Sequence, residues 1–164
     1  MKMMTGLGLL AALACVVGPA SAGTAVSNFG VSLAITAQCV INSTTLMNFN
    51  SGTIGVLNAN NDTTGTLKVV CTNTTPFDIG LDGGTSSGGS VAQRLLINSG
   101  NTINYNLYTS NAFSTIWGNT VHTDTVASTG TGTEQTFTIY GRVPSQATPA
   151  PGTYTDLVTV TITY

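Results

Sequence analysis

The feature that most constrains the fold of this chain is its closing segment, residues 152–164, in which apolar and polar side chains alternate. Alternation with a period of two places every second side chain on one face of a β-strand. That face carries Val158, Val160, Ile162 and Tyr164. The sequence stops inside this strand. A β-sandwich that ends in this way can leave a neighbouring strand position for another chain, so we expect an unpaired edge here.

The rest of the chain has the pattern of an all-β protein. Short runs rich in Thr and Val are separated by Gly, Asn, Asp and Pro, and no stretch shows sustained helical periodicity. The predicted strands are residues 31–38, 46–50, 66–71, 77–81, 94–97, 103–108, 135–143 and 154–164. Many short strands at this spacing favour a sandwich, and residues 23–164 have the length of one domain.

Residues 1–22 have the pattern of a secretory signal peptide. Lys2 gives a positive start, residues 7–17 are apolar, and small residues ending at Ala22 fit a cleavage site. We therefore expect an exported mature chain that begins at Gly23. The apolar run is shorter than the roughly 20 residues that a transmembrane helix needs, so we expect no membrane insertion.

The cysteine pattern predicts a disulfide. Cys15 lies in the predicted signal peptide, although a lipoprotein processing site at Cys15 is an alternative. After cleavage, Cys39 and Cys71 form an even pair in an exported protein, which is the usual signature of a disulfide. Two buried free thiols are the other interpretation. A bridge would close a loop of roughly 30 residues, which the chain-entropy model values at about 3.5 to 4 kcal/mol.

Composition and motifs argue against nucleic-acid binding, metal binding and catalysis. Charged residues make up 6% of the chain, and the predicted mature cations, Lys68, Arg94 and Arg142, form no basic patch. The single histidine, His122, stands among turn-like residues, and we expect it to be solvated rather than a zinc ligand. We expect no cofactor. Acidic residues whose spacing specifies no glycosidase cleft are Asp78, Asp82, Asp124, Glu134 and Asp156.

Two further groups have competing interpretations. Asp82 precedes Gly83 and Gly84, which predicts a turn rather than a phosphate-binding loop. Four aromatic residues could line a sugar-binding face or pack in the core: Tyr105, Tyr108, Phe113 and Trp117. Core packing is favoured because residues 105 and 108 point to opposite faces of a regular strand.

A second alternating segment lies near the start of the predicted mature chain. Its apolar face carries Phe29, Val31, Leu33 and Ile35. Periodicity alone favours an ordinary first strand of the domain. The alternative is an extended arm that inserts into another subunit.

Several local patterns occur together and in order. They are Cys39, Cys71 with Thr72, and residues 77–84, 105–108, 140–144 and 152–164. Through them the chain resembles the spore coat protein U domain family, which includes major pilins of archaic chaperone-usher pili. The likeness runs over essentially the whole predicted mature chain.

The resemblance implies an incomplete immunoglobulin-like β-sandwich that lacks its last strand and is completed by donor-strand exchange. A groove edged by Val158, Val160, Ile162 and Tyr164 would be filled first by a periplasmic chaperone. The next subunit's arm, about residues 23–34, would replace the chaperone. The donor side chains would be Phe29, Val31 and Leu33. The Cys39–Cys71 disulfide would brace the subunit.

Family resemblance therefore implies a non-enzymatic pilus subunit, exported through the periplasm to the cell surface for adhesion or biofilm formation. Its partners would be further pilin copies, a periplasmic chaperone and an outer-membrane usher. A secreted coat protein and a carbohydrate-binding β-sandwich are the alternative interpretations.

Overall fold

The computed structural model describes residues 16–49 and 55–164. The apolar core of the predicted signal peptide and Cys15 therefore lie largely outside the described residues. Contacts divide the chain into two units, Met1–Ala34 and Ile35–Tyr164. In the first unit, residues 16–34 have no regular secondary structure. None of the described residues belongs to a helix long and apolar enough to cross a membrane.

The described regular structure of the second unit consists of strands, which confirms the all-β prediction. They are β1 (Cys39–Thr44), β2 (Asn61–Cys71), β3 (Pro76–Leu81), β4 (Arg94–Asn98), β5 (Asn101–Tyr108), β6 (Val126–Thr129), β7 (Glu134–Val143) and β8 (Val160–Thr163). One sheet has the order β1-β2-β7-β5-β4, and the other has the order β6-β3-β8. All the paired strands are antiparallel.

The core of this unit is built from side chains of both sheets, as expected for a sandwich. Alternation along the strands places every second side chain in this core. In β2, Leu67, Val69 and Cys71 are fully buried while the residues between them are only half-buried. Phe77, Ile79 and Leu81 of β3, together with Trp117, belong to the same apolar cluster. An immunoglobulin-like sandwich with a missing strand is consistent with this arrangement.

Cys39 and Cys71 face each other across the β1–β2 ladder and form a disulfide, as the cysteine count predicted. The bridge joins residues that are 32 positions apart in sequence. It links the edge strand β1 to β2, whose last residue lies in the core.

Two strand predictions were wrong, and the predicted closing strand was too long. Residues 31–38 form no strand, and residues 46–49 are also irregular. Residue 50 lies outside the described residues. The closing strand is regular only over Val160–Thr163, because the residues before it leave one sheet for the other. Strands β1 and β6 were not predicted, since the polar residues 42–44 and the four-residue length of β6 give no clear alternation.

Candidate functional site

Strand β8 is paired on one side only. Val160 lies opposite Leu81, and Ile162 lies opposite Ile79 of β3. Because β8 ends the strand order of its sheet, its other side pairs with no strand among the residues that the structure describes. Such an edge presents unpaired backbone N–H and C=O groups that a further strand can bind.

The two faces of the closing segment differ in burial as the alternation predicts. Val158, Val160 and Ile162 are half-buried and pack against the apolar core. Thr161, between two of them, is exposed. Tyr164 is 58% exposed and is not part of the core cluster. The structure therefore brings three of the four predicted groove residues together on the core side of the closing segment.

An apolar groove adjoins the segment that leads into β8. It has a volume of about 960 Å³ and lies within the second unit. Its apolar walls include Met47, Phe49, Leu57, Leu96, Ile103 and Val143. Residues 148–156 also line it, so the lining includes the start of the closing segment and stops short of β8.

Side-chain amides and hydroxyls hold the proline-rich wall of this groove. Gln146 Oε1 accepts from the amide of Asn104 at 2.9 Å, and Gln146 Nε2 donates to the carbonyl of Asn104 at 2.9 Å. The Gln146 amide donates to the Leu57 carbonyl, and the Leu57 amide donates to Thr148 Oγ1. The Gln146 side chain therefore makes the two backbone hydrogen bonds with Asn104 that a neighbouring strand would make.

The closing segment changes sheets just before β8. Thr155 forms an antiparallel bridge with Ile97 of β4, which belongs to the five-stranded sheet. Val160 pairs with Leu81 of β3, which belongs to the three-stranded sheet. Residues 156–159 thus cross from one sheet to the other outside any ladder.

Asp156 lies at this crossing, and donors from two segments bind its carboxylate. Tyr105 Oη donates to Oδ2 at 2.8 Å. The amides of Thr85 and Ser86 donate to Oδ1 at 2.9 and 3.0 Å. Burial raises the pKa of Asp156, but hydrogen bonds from Tyr105, Leu157 and Ser86 outweigh burial and hold the pKa below its ordinary value. Burial and the Asp156 contact raise the pKa of the Tyr105 hydroxyl.

Asp82 precedes the residues that bind Asp156, and its own carboxylate binds a backbone amide of the closing segment. Its Oδ1 accepts from the Gly84 amide at 3.0 Å, which is the predicted turn, and also from the Thr159 amide at 2.8 Å. The Asp82 amide donates to the Thr159 carbonyl at 3.1 Å. Burial opposes ionisation, yet the bonds from Thr159 and Gly84 hold the pKa of Asp82 below its ordinary value.

A fully buried arginine binds the backbone next to Asp82. Arg94 has 0% exposure and donates to the carbonyls of Asp82, Leu81 and Trp117, each at 2.8 Å. Its Nη1 also donates to Asn106 Oδ1 at 2.6 Å. Burial lowers the pKa of Arg94. The sequence placed Arg94 only among the cations of the predicted mature chain, because nothing in the local pattern indicates its burial.

His122 is exposed, as predicted, although its Nδ1 lies 3.2 Å from Asp78 Oδ2. Asp78 also accepts from Thr125 Oγ1 at 2.6 Å. The other carboxylates considered for catalysis have local donors: Asp124 accepts from the Thr120 amide, and Glu134 pairs with Lys68. Within residues 16–49 and 55–164, no group of three or more His, Cys, Asp and Glu side chains could hold a metal ion.

The aromatic residues divide between the core and the surface. Tyr105 and Trp117 are buried, as the core interpretation predicted. Tyr108 and Phe113 are instead half-buried and lie edge-to-face at 5.5 Å. Phe113 also contacts Tyr140, and the Arg142 guanidinium lies 3.7 Å from its ring centroid.

The predicted donor residues belong to the first unit and are described by themselves. Phe29 is 87% exposed, Val31 84% and Leu33 87%. They carry no regular secondary structure. An alternating apolar segment of this kind has the side chains of a strand but no ladder within its own unit.

Comparisons with known proteins identify one family. A model of the Spore Coat Protein U domain matches residues 25–161. No curated protein matches the chain. A similar solved structure is the CsuC-CsuE chaperone-tip adhesion subunit pre-assembly complex from archaic chaperone-usher Csu pili of Acinetobacter baumannii, with 20% identity and a TM-score of 0.54. The match covers 79% of this chain but 40% of that chain, and at this identity it shows the fold alone.

Proposed function

This chain belongs to the spore coat protein U domain family, and we propose that it is a non-enzymatic structural subunit of a surface pilus of the chaperone-usher type. In this proposal the arm of one copy pairs with the free edge of β8 and fills the adjoining apolar groove of the next copy. A periplasmic chaperone occupies the groove beforehand, and an outer-membrane usher adds the subunits. The exported fibre would support adhesion and biofilm formation. Family membership and the pilus origin of the structural neighbour support the proposal.

The observation that carries this proposal is the unpaired edge of β8, together with an apolar groove of about 960 Å³ that is lined by the segment leading into β8. A strand added there would gain ladder hydrogen bonds from the free edge, and its apolar side chains would leave water. Each large apolar side chain that is fully buried contributes roughly 1.5 to 3 kcal/mol, as an upper estimate. Three such side chains would act together with the ladder hydrogen bonds to offset the entropy lost on association.

The arm supplies a suitable occupant. Phe29, Val31 and Leu33 are spaced by two residues, so they share one face once the segment is extended. All three are highly exposed in the single chain, so their burial would provide a driving force for association. The predicted mature arm, residues 23–34, contains no charged side chain that would oppose entry into an apolar groove.

The test compares two charge substitutions on opposite faces of the arm. Val31→Asp places a carboxylate into the groove, where it is costly unless paired, and should abolish fibres while the subunit stays folded. Ser32→Asp adds the same charge to the other face and should leave assembly intact. Assembly is measured by electron microscopy and by co-purification with a co-expressed chaperone. Normal fibres from the Val31→Asp chain would show that the arm is not the donor.

A carbohydrate-binding β-sandwich is the second candidate function. The half-buried cluster of Tyr108, Phe113 and Tyr140 favours it, because aromatic rings with polar tips are common at binding surfaces. The Arg142 guanidinium already lies over the Phe113 ring, which weighs against a free stacking platform. Retention of a stable monomer on polysaccharide resin, lost in Phe113→Ala, would support this function over the pilus subunit.

A further inference from the structure

We propose that Asp156 and Asp82 are positioning residues that hold the closing segment at its crossing between the sheets and so define where the free edge of β8 begins. We call these two side chains, with their partners in residues 84–86 and at Thr159, the aspartate clamp. The inference deepens the proposed function and rests on it, because it concerns the edge that would accept the arm.

The clamp is reciprocal. Asp156, on the closing segment, accepts from the amides of Thr85 and Ser86 in the connection between β3 and β4. Asp82, in that connection, accepts from the Thr159 amide on the closing segment. Each segment therefore supplies a carboxylate to backbone donors of the other. Hydrogen bonds to ionised acceptors are stronger than neutral ones, so these contacts can replace the ladder bonds that residues 156–158 lack.

Close approach between the two segments depends on glycine. Gly84 has a φ of +83°, and a Cβ at this position would overlap the Asp156 carboxylate. Buried Arg94 also binds the Asp82 carbonyl at 2.8 Å. Two side chains, Asp156 and Arg94, therefore hold the glycine-rich connection.

The position of the clamp gives it a consequence for the groove. Asp156 and Thr155 both line the groove, and Thr159 directly precedes β8. Release of the clamp would free residues 156–159 from both sheets. The first residues of β8 would then lose their alignment with β3. Their backbone N–H and C=O groups would no longer be held in position to pair with an incoming strand. The clamp should therefore affect strand uptake more than global stability.

Hydrogen exchange and peptide binding test this inference on the predicted mature chain, residues 23–164. Asp156→Ala should accelerate amide exchange over residues 155–161 by about tenfold or more, with β2 and β7 unchanged. It should also weaken binding of a labelled synthetic peptide, residues 23–38, by about tenfold. Asp156→Asn should rescue both to within about threefold, because its amide can accept from residues 85 and 86 and donate to Tyr105.

Asp62→Ala is the matched control, since it removes a carboxylate that binds Arg142 away from the closing segment. Equal losses from Asp156→Ala and Asp62→Ala, or no rescue by Asp156→Asn, would overturn the inference. If Asp156→Ala does not fold, Tyr105→Phe removes one donor to the same carboxylate and should give a smaller acceleration of exchange over the same residues. If the unaltered chain binds no peptide, the proposed function fails, and the exchange data alone decide whether the clamp exists.

Discussion

Arg94 Nη1 lies 2.6 Å from Asn106 Oδ1 in the interior of the sandwich. This contact joins β4 to β5, and the same guanidinium donates to four backbone carbonyls. No carboxylate forms a salt bridge with it among the described residues. The buried charge is therefore balanced by carbonyl and amide dipoles, which makes this position sensitive to any change of side chain.

Arg94→Ala should lower the free energy of unfolding by about 3 kcal/mol or more, because it leaves a cavity and unsatisfied buried carbonyls. Arg142→Ala removes an arginine that pairs with Asp62 at the surface and should cost only about 1 kcal/mol. Chemical denaturation of both variants measures the difference. Equal costs would show that the Arg94 network contributes little.

Two glycines with the same backbone conformation make a matched pair. Gly84 and Gly88 have φ values of +83° and +85°, so alanine at either position carries a similar strain of about 1 to 2 kcal/mol. Only at Gly84 does the new methyl group also meet the Asp156 carboxylate, whereas the nearest atom at Gly88 is 3.8 Å away. Gly84→Ala should therefore be clearly less stable than Gly88→Ala in denaturant titration. Indistinguishable midpoints would contradict the close approach.

Ile162→Asp and Thr161→Asp test the two faces of β8. The first introduces a charge on the core side and should destabilise the subunit by about 2 to 4 kcal/mol. The second lies on the exposed face and should change stability by no more than about 0.5 kcal/mol. Circular dichroism during thermal unfolding gives the comparison. A tolerated Ile162→Asp would place that side chain in solvent.

Acid should weaken the aspartate clamp. Both Asp82 and Asp156 have pKa values below the ordinary range in the folded chain. A carboxyl group whose pKa is lower in the folded chain than in the unfolded chain stabilises the fold at any pH above the unfolded pKa of about 3.9. That stability is lost as the pH falls through the folded pKa. In the double variant Asp82→Asn with Asp156→Asn, the free energy of unfolding should therefore fall less steeply below about pH 4 than in the unaltered chain. An unchanged slope relative to the unaltered chain would rule out this linkage.

Removal of the disulfide should lower the free energy of unfolding by about 2 to 5 kcal/mol. The reason is that the unfolded chain regains the conformational entropy that the closed loop had removed. Denaturant titration with and without reductant measures this cost. Replacement of both Cys39 and Cys71 by Ala should make stability insensitive to reductant. Continued sensitivity in that double variant would point to another redox-active group.

The sequence by itself determined the features that depend on neighbouring residues. Alternation in the closing segment predicted that Val158, Val160 and Ile162 share a core-facing side, and the even cysteine pair predicted the bond between Cys39 and Cys71. Only the tertiary structure decided that residues 156–159 cross between sheets, that Arg94 is buried, and that Asp156 meets the amide of Thr85, 71 positions earlier. Periodicity reports which side chains avoid water along one strand. It carries no information about which distant backbone donors will surround a carboxylate, because that depends on how the two sheets come together.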